Sequence, residues 1–203
     1  MGVFCLTLRK WFHLFWTTLV LGMGVSIVIG FGLQLSDKEF SVIGASAVGF
    51  NLITMVQGGA IISILSQMGF FSYLIVRLIA IGIFRKKIIW DYAQLLLVAV
   101  TLFELVLIRT MNFGESGSWL DFSVLPLVLL VVSLAIAYWK QKLTNVHAFI
   151  PTLFFMVVVT VLEAVPALKL NNAASTFYMF VPLIACNAYQ ILILHKIVEK
   201  KKS

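Results

Sequence analysis

Acidic side chains are scarce in this chain. Eight Asp and Glu are spread over 203 residues, and even with fifteen Lys and Arg the charged fraction is only 11%, less than half the roughly one quarter carried by soluble domains. So little charge cannot clothe a water-facing surface, which excludes a soluble catalytic domain of any size. Cysteine is nearly absent as well. Cys5 and Cys186 stand far apart among apolar neighbours, without the CxxC or Cys/His spacing that would hold a metal. There is no H-E-x-x-H, no G-x-S-x-G, no Walker A loop and no Gly-rich dinucleotide fingerprint. His13, His147 and His195 fall near the ends of apolar runs, without ligand spacing, and read as solvated interfacial histidines. With no nucleophile and base paired by spacing, the expectation is a protein that is not an enzyme and that carries no cofactor or metal.

What the chain has is apolar length. It is 62% hydrophobic with a mean hydropathy of +1.07, and several runs approach the ~20 residues a helix needs to cross a ~30 Å hydrocarbon core. Five crossings read directly, at 11–33, 92–108, 122–139, 147–165 and 174–194. A longer apolar region, 42–84, is interrupted only by small residues, Asn51 and the Gln57–Gly58–Gly59 triplet.

Charge decides how to divide that region, because short basic loops stay cytoplasmic. One crossing at 59–84 gathers Arg9, Lys10, Arg85, Lys86, Lys87, Lys140, Lys142, Lys196, Lys200, Lys201 and Lys202 on the inner side. The outer loops then keep Lys38, Arg109 and Lys169, with Asp37, Glu39, Glu115, Asp121 and Glu163. A second crossing would move Arg85 to Lys87 outside and spoil the pattern. The expected fold is therefore an all-α, polytopic bundle of six transmembrane helices forming a single domain. Both termini are cytoplasmic, and 42–56 is a non-crossing interfacial or re-entrant segment or a bent extension of the second helix. All five tryptophans fall near expected helix ends, where interfacial aromatics belong. The basic opening followed by a long apolar run without an A-x-A site reads as a retained signal anchor. The net charge of +7 sits in clusters at the ends of apolar runs, which argues against nucleic acid and for topology and anionic lipid.

Within the spans the polar residues are few and therefore informative. Ser63, Ser66, Gln67, Phe70, Tyr73 and Arg77 share about a third of one helix circumference. An embedded charge costs on the order of 2.5–3.5 kcal/mol and normally faces a bundle interior. This suggests an inward cluster of Gln67, Tyr73, Arg77, Thr101 and Glu104, either functional or a hydrogen-bonded staple; a third reading lets Arg77 snorkel to the headgroups. A direct Arg77–Glu104 pair would require staggered helices, since the two lie ~12 Å and ~20 Å from the same membrane face by helical rise. Gly22, Ser26 and Gly30 recur every four residues and form a close-packing face, toward an internal helix or a partner. Asn187, Tyr189 and Gln190 lie near the end of the last span and read as partly solvated.

The stretches "LSQMGFFSYLIVRLIAIGIFRKK" (65–87) and "YAQLLLVAVTLFELVLIR" (92–109), with the opening "RKWFHLFWTTLVLGMG" (9–24), resemble the KbaA family, the KinB-signalling pathway activation proteins of spore-forming bacteria. The resemblance implies a multi-pass regulator of the plasma membrane. Its partner would be a membrane sensor histidine kinase, KinB, that feeds the sporulation phosphorelay. Ser66 to Phe71 and Arg77 carry the matching positions, and no catalytic residue transfers with them. Two other classes compete. A small-solute carrier or substrate-binding subunit would use the Gln67/Arg77/Glu104 surroundings as a pocket and retain its ligand on purification. An intramembrane enzyme would need Glu104 or a histidine on a water-reached cavity.

Overall fold

A computed structural model describes residues 8–36, 45–84, 87–113, 119–168 and 173–198. Apart from short links these are helical, and no strand occurs among them. The helices are α1 (Leu8–Ser36), α2 (Ala45–Ile83), α3 (Lys87–Phe113), α4 (Trp119–Leu143), α5 (Phe149–Phe154), α6 (Thr160–Leu168) and α7 (Ala173–Val198). A 3-10 turn, Val146–Ala148, leads into α5, and a π-helical stretch, Phe155–Val159, joins α5 to α6, so 146–168 is one continuous rod.

Six stretches among the described residues are long and apolar enough to cross a membrane: Arg9–Gln34, Gly49–Ile83, Ile88–Met111, Ser123–Leu143, Val146–Pro166 and Ala174–Ile197. Their number equals the six crossings read from the sequence, and the chain is an all-α polytopic membrane protein. Residues 42–44 lie outside the described residues, but from Ala45 the chain is already in α2, which passes through Gly58 and Gly59 without a break. Nothing in 45–56 forbids helix, and paired glycines are affordable when a neighbour packs on them. At 39 residues and ~1.5 Å per residue, α2 is ~58 Å long, so it must tilt steeply or project beyond a ~30 Å core.

The chain divides into two compact units. Unit 1 comprises residues 1–67 and 177–203, and unit 2 comprises 68–176. α2 contributes its first part to unit 1 and its last part to unit 2, and α7 is divided similarly near its start.

In unit 1, α1 and α2 meet along small residues. A methyl group on Gly22 would strike Ser63 Oγ and lie 3.0 Å from Cys186 Sγ and 3.2 Å from the Gly59 carbonyl. One on Gly59 would come within 2.8 Å of Gly22 O, Met23 Cα and Ser26 Cβ. Gly30 is filled by the Met55 side chain, whose sulfur would be 2.6 Å from an added Cβ. The Gly22, Ser26 and Gly30 row therefore faces α2 inside unit 1. Lys10 Nζ donates to the Ile197 carbonyl at 3.2 Å, which places the start of α1 and the end of α7 at the same end of this unit.

Unit 2 is built on the 146–168 rod. Of its membrane-length stretch 72% is buried, against 17–44% for the other five. An apolar rod with no polar face suits an interior position. Aromatic rings lock α2 to it: Phe70 meets Phe155 edge-on at 5.7 Å, and Tyr73 lies 5.0 Å from Phe155 and 6.2 Å from Phe154, centroid to centroid. Trp90 of α3 stacks on Phe84 at 5.6 Å and reaches Phe154 at 6.3 Å. Such pairs add ~0.5–1.5 kcal/mol beyond the area they bury.

Candidate functional site

Ser66 is the centre of the polar chemistry in unit 1. Gln190 Nε2 donates to Ser66 Oγ at 2.6 Å, and Ser66 Oγ donates on to Asn187 Oδ1 at 2.7 Å. The hydroxyl is thus acceptor and donor at once, and the chain of bonds has one direction. One turn earlier Ser63 Oγ donates to the Thr18 carbonyl at 3.2 Å and touches Cys186 Sγ at 3.6 Å. One residue later Gln67 Nε2 donates to the Phe15 carbonyl at 3.3 Å. All of Thr18, Ser63, Ser66, Gln67, Cys186, Asn187 and Gln190 are buried. Among the described residues, no hydrogen-bond donor reaches the Gln67 and Gln190 side-chain carbonyls. Tyr178 closes the far end, its hydroxyl donating to the Met55 carbonyl at 3.2 Å. This seam joins α1, α2 and α7 with neutral groups only.

Asn187 and Gln190 correct the expectation of partial solvation. Both are fully buried. They fall on the stripe Leu183, Cys186, Asn187, Gln190, whose three- and four-residue spacing was visible in the sequence and was outweighed by nearness to the helix end. Tyr189, between them, is half-buried and lines an open apolar groove with Trp16, Thr17, Val20 and Leu21.

The five residues of the cluster expected from the sequence are divided between the two units. Gln67 belongs to unit 1, and Tyr73, Arg77, Thr101 and Glu104 belong to unit 2. Tyr73 and Thr101 are buried, whereas the side chains of Arg77 and Glu104 are exposed. Glu104 stands about a quarter turn off the buried stripe Gln94, Val98, Thr101, Leu105 of α3. Arg77 lies on the α2 stripe defined by Phe70, Tyr73 and Ala80, and its long stem carries the charge outward. Its electrostatic neighbours are Tyr73 and Lys140.

Glu163 and Gln94 are among the buried polar groups of unit 2 that escaped sequence reading. Glu163, assigned to an outer loop, is instead buried within the rod, which continues to Leu168. Its carboxylate packs on Gly69, where an added Cβ would collide with it and lie 2.8 Å from Val159. Gln94 is fully buried on α3. Among the described residues no group of three His, Cys, Asp or Glu side chains is arranged to hold a metal.

Together these features define an all-α membrane protein in which a buried polar seam joins helices of unit 1. The chain belongs to the KbaA family, described as KinB-signalling pathway activation in sporulation, whose profile matches residues 22–197. It is 36% identical over 189 residues to the KinB-signaling pathway activation protein of Bacillus subtilis (strain 168), covering 92% of this chain and 96% of that relative. No solved structure matches.

Proposed function

We propose that this protein is a plasma-membrane regulator that activates KinB signalling on the way to sporulation, and that it does so by binding and not by catalysis. The observation that carries the reading is the 36% identity extending over 96% of a relative named for that role. The neutral seam supports a binding role, since its hydroxyl and amide groups are engaged in joining helices and none is placed as a nucleophile beside a base. A regulator of this kind changes kinase output by preferring one kinase conformation over another, and a tenfold shift needs about 1.4 kcal/mol of differential affinity.

The test is genetic and biochemical. In a spore-forming host lacking its own family member, expression of this chain is expected to restore a KinB-dependent phosphorelay reporter, and tagged KinB is expected to copurify with it from detergent-solubilised membranes. Failure to restore the reporter at normal expression overturns the role. Restoration without copurification would place its action upstream of the kinase, and a retained small molecule would favour the carrier.

A further inference from the structure

Between α1 and α7 of unit 1 runs the groove lined by Trp16, Thr17, Val20, Leu21 and Tyr189, with about 390 Å³ of space. The one hydroxyl that α1 brings to it is already engaged. Thr17 Oγ1 donates within its own helix, to the His13 carbonyl at 2.7 Å or the Leu14 carbonyl at 3.1 Å. The α1 wall therefore offers an occupant apolar contact and no hydrogen bond. Trp16 and Val20 are 57% and 61% exposed, so the groove is open on its outer side.

Cations stand at one end of it. Arg9, His13, Trp16 and Val20 recur at three- and four-residue intervals and share one face of α1. Lys196 lies seven residues beyond Tyr189, two turns along the same face of α7. The Lys10 Nζ to Ile197 carbonyl bond of 3.2 Å pins the two helices together at this level, and Arg9 and Lys196 are exposed beside it. By helical rise the groove begins ~10 Å below these cations on both helices. They stand at the ends of the stretches Arg9–Gln34 and Ala174–Ile197, at headgroup level. Just beyond, the sequence adds Lys200, Lys201 and Lys202 against the single acid Glu199.

An apolar groove with a cationic mouth is complementary to one kind of molecule, an amphiphile with an apolar tail and an anionic head. A partner's apolar helix would match the groove and leave the cations unanswered. A soluble phosphate would match the cations and leave the groove unanswered. The guanidinium fork fits two phosphate oxygens, and a lysine adds a point charge beside it. We infer that the groove between α1 and α7 holds an acyl chain of an anionic phospholipid whose phosphate is received by Arg9 and Lys196. The site requires only that α1 and α7 span a bilayer, so it stands or falls separately from the KinB role.

The experiment uses the full chain purified in a neutral detergent, with phosphatidylglycerol and phosphatidylcholine titrated in turn and followed by native mass spectrometry. Phosphatidylglycerol is expected to bind the more tightly. Arg9→Gln and Lys196→Gln should each weaken it about fivefold, the worth of one cation at an anionic surface, and Arg9→Lys should recover part of the loss. Val20→Trp, which fills the groove from an exposed position, should weaken both lipids; Trp16→Ala, which removes a wall, serves in its place if that variant fails to fold. Lys142→Gln, on the exposed end of α4 in unit 2, should change nothing. Equal affinity for the two lipids, or undiminished binding when Arg9→Gln and Lys196→Gln are combined, overturns the site. Glycerol phosphate that competes as well as the lipid overturns the role of the groove. Undiminished lipid binding in Val20→Trp, with capture of tagged KinB lost, would make the groove a protein seat and overturn the lipid assignment.

Discussion

Ser66 shows how much one hydroxyl can hold. It accepts from Gln190 and donates to Asn187, so its removal leaves two amides, each fully buried, without the group that joins them. Leaving a buried polar group unsatisfied costs ~1–3 kcal/mol, while measured hydrogen bonds between membrane helices average ~0.6 and reach ~1.7 kcal/mol. Ser66→Ala is therefore expected to destabilise by about 1–2 kcal/mol, read as a lowered thermal midpoint in detergent. Ser72→Ala is the control, because the exposed Ser72 hydroxyl bonds the Met68 carbonyl of its own helix. Equal effects of the two would show that the seam contributes no stability of its own. The shared face of Ser63, Ser66 and Gln67 was legible because helical period alone places them together. Which residues answer them was not. Thr18 and Phe15 contribute backbone carbonyls, which no side-chain pattern reveals, and Glu163 was lost because a carboxylate near the end of a span resembles one in a loop.

At the level of the element, α1 has two glycine rows with opposite duties. Gly22 and Gly30 face α2 with no room for a methyl group, whereas Gly24 and Gly32 have no neighbouring atom within 4 Å of where one would sit. Overpacking costs ~1–3 kcal/mol, and alanine is a better helix former than glycine by up to ~1 kcal/mol. Gly22→Ala should thus lower the thermal midpoint, and Gly24→Ala should leave it unchanged or raise it. Reversal of that order would mean that α1 packs through its other face. Periodicity exposed the Gly22 row, and the charge pattern exposed the number of spans. The same charge rule leaves the path of 42–56 open, since it counts crossings and is indifferent to a helix that overshoots the bilayer. Only the uninterrupted backbone from Ala45 to Ile83 distinguishes an overlong, tilted helix from a separate interfacial piece. The π stretch Phe155–Val159 was equally invisible: its five residues are apolar and buried like those around them, and the i→i+5 bonding that sets them apart has no side-chain signature.

For the whole molecule, the remaining quantity is direction. Six spans return the chain to its starting side, in keeping with the Lys10 to Ile197 hydrogen bond that brings the start of α1 to the end of α7. Which side that is follows from insertion energetics. Short loops bearing Lys and Arg are retained in the cytoplasm, and acidic residues contribute little to the choice. Under the inner assignment the N-terminal flank carries Arg9 and Lys10, the α2–α3 link Arg85 and Lys86, and the end of α7 Lys196. The opposite links carry Lys38 and Lys169. A cytoplasm-active fluorescent reporter fused after Ser203 or inserted after Asn145 is expected to be active, and an export-active phosphatase inserted after Ser116 or Asn171 is expected to be active in its turn. If 45–56 were to cross separately from the rest of α2, every reporter after α2 would invert relative to a tag on the N-terminus. Matching signals at the two termini, with opposite signals after Ser116, would fix both the parity of the bundle and the side of the membrane on which its termini lie.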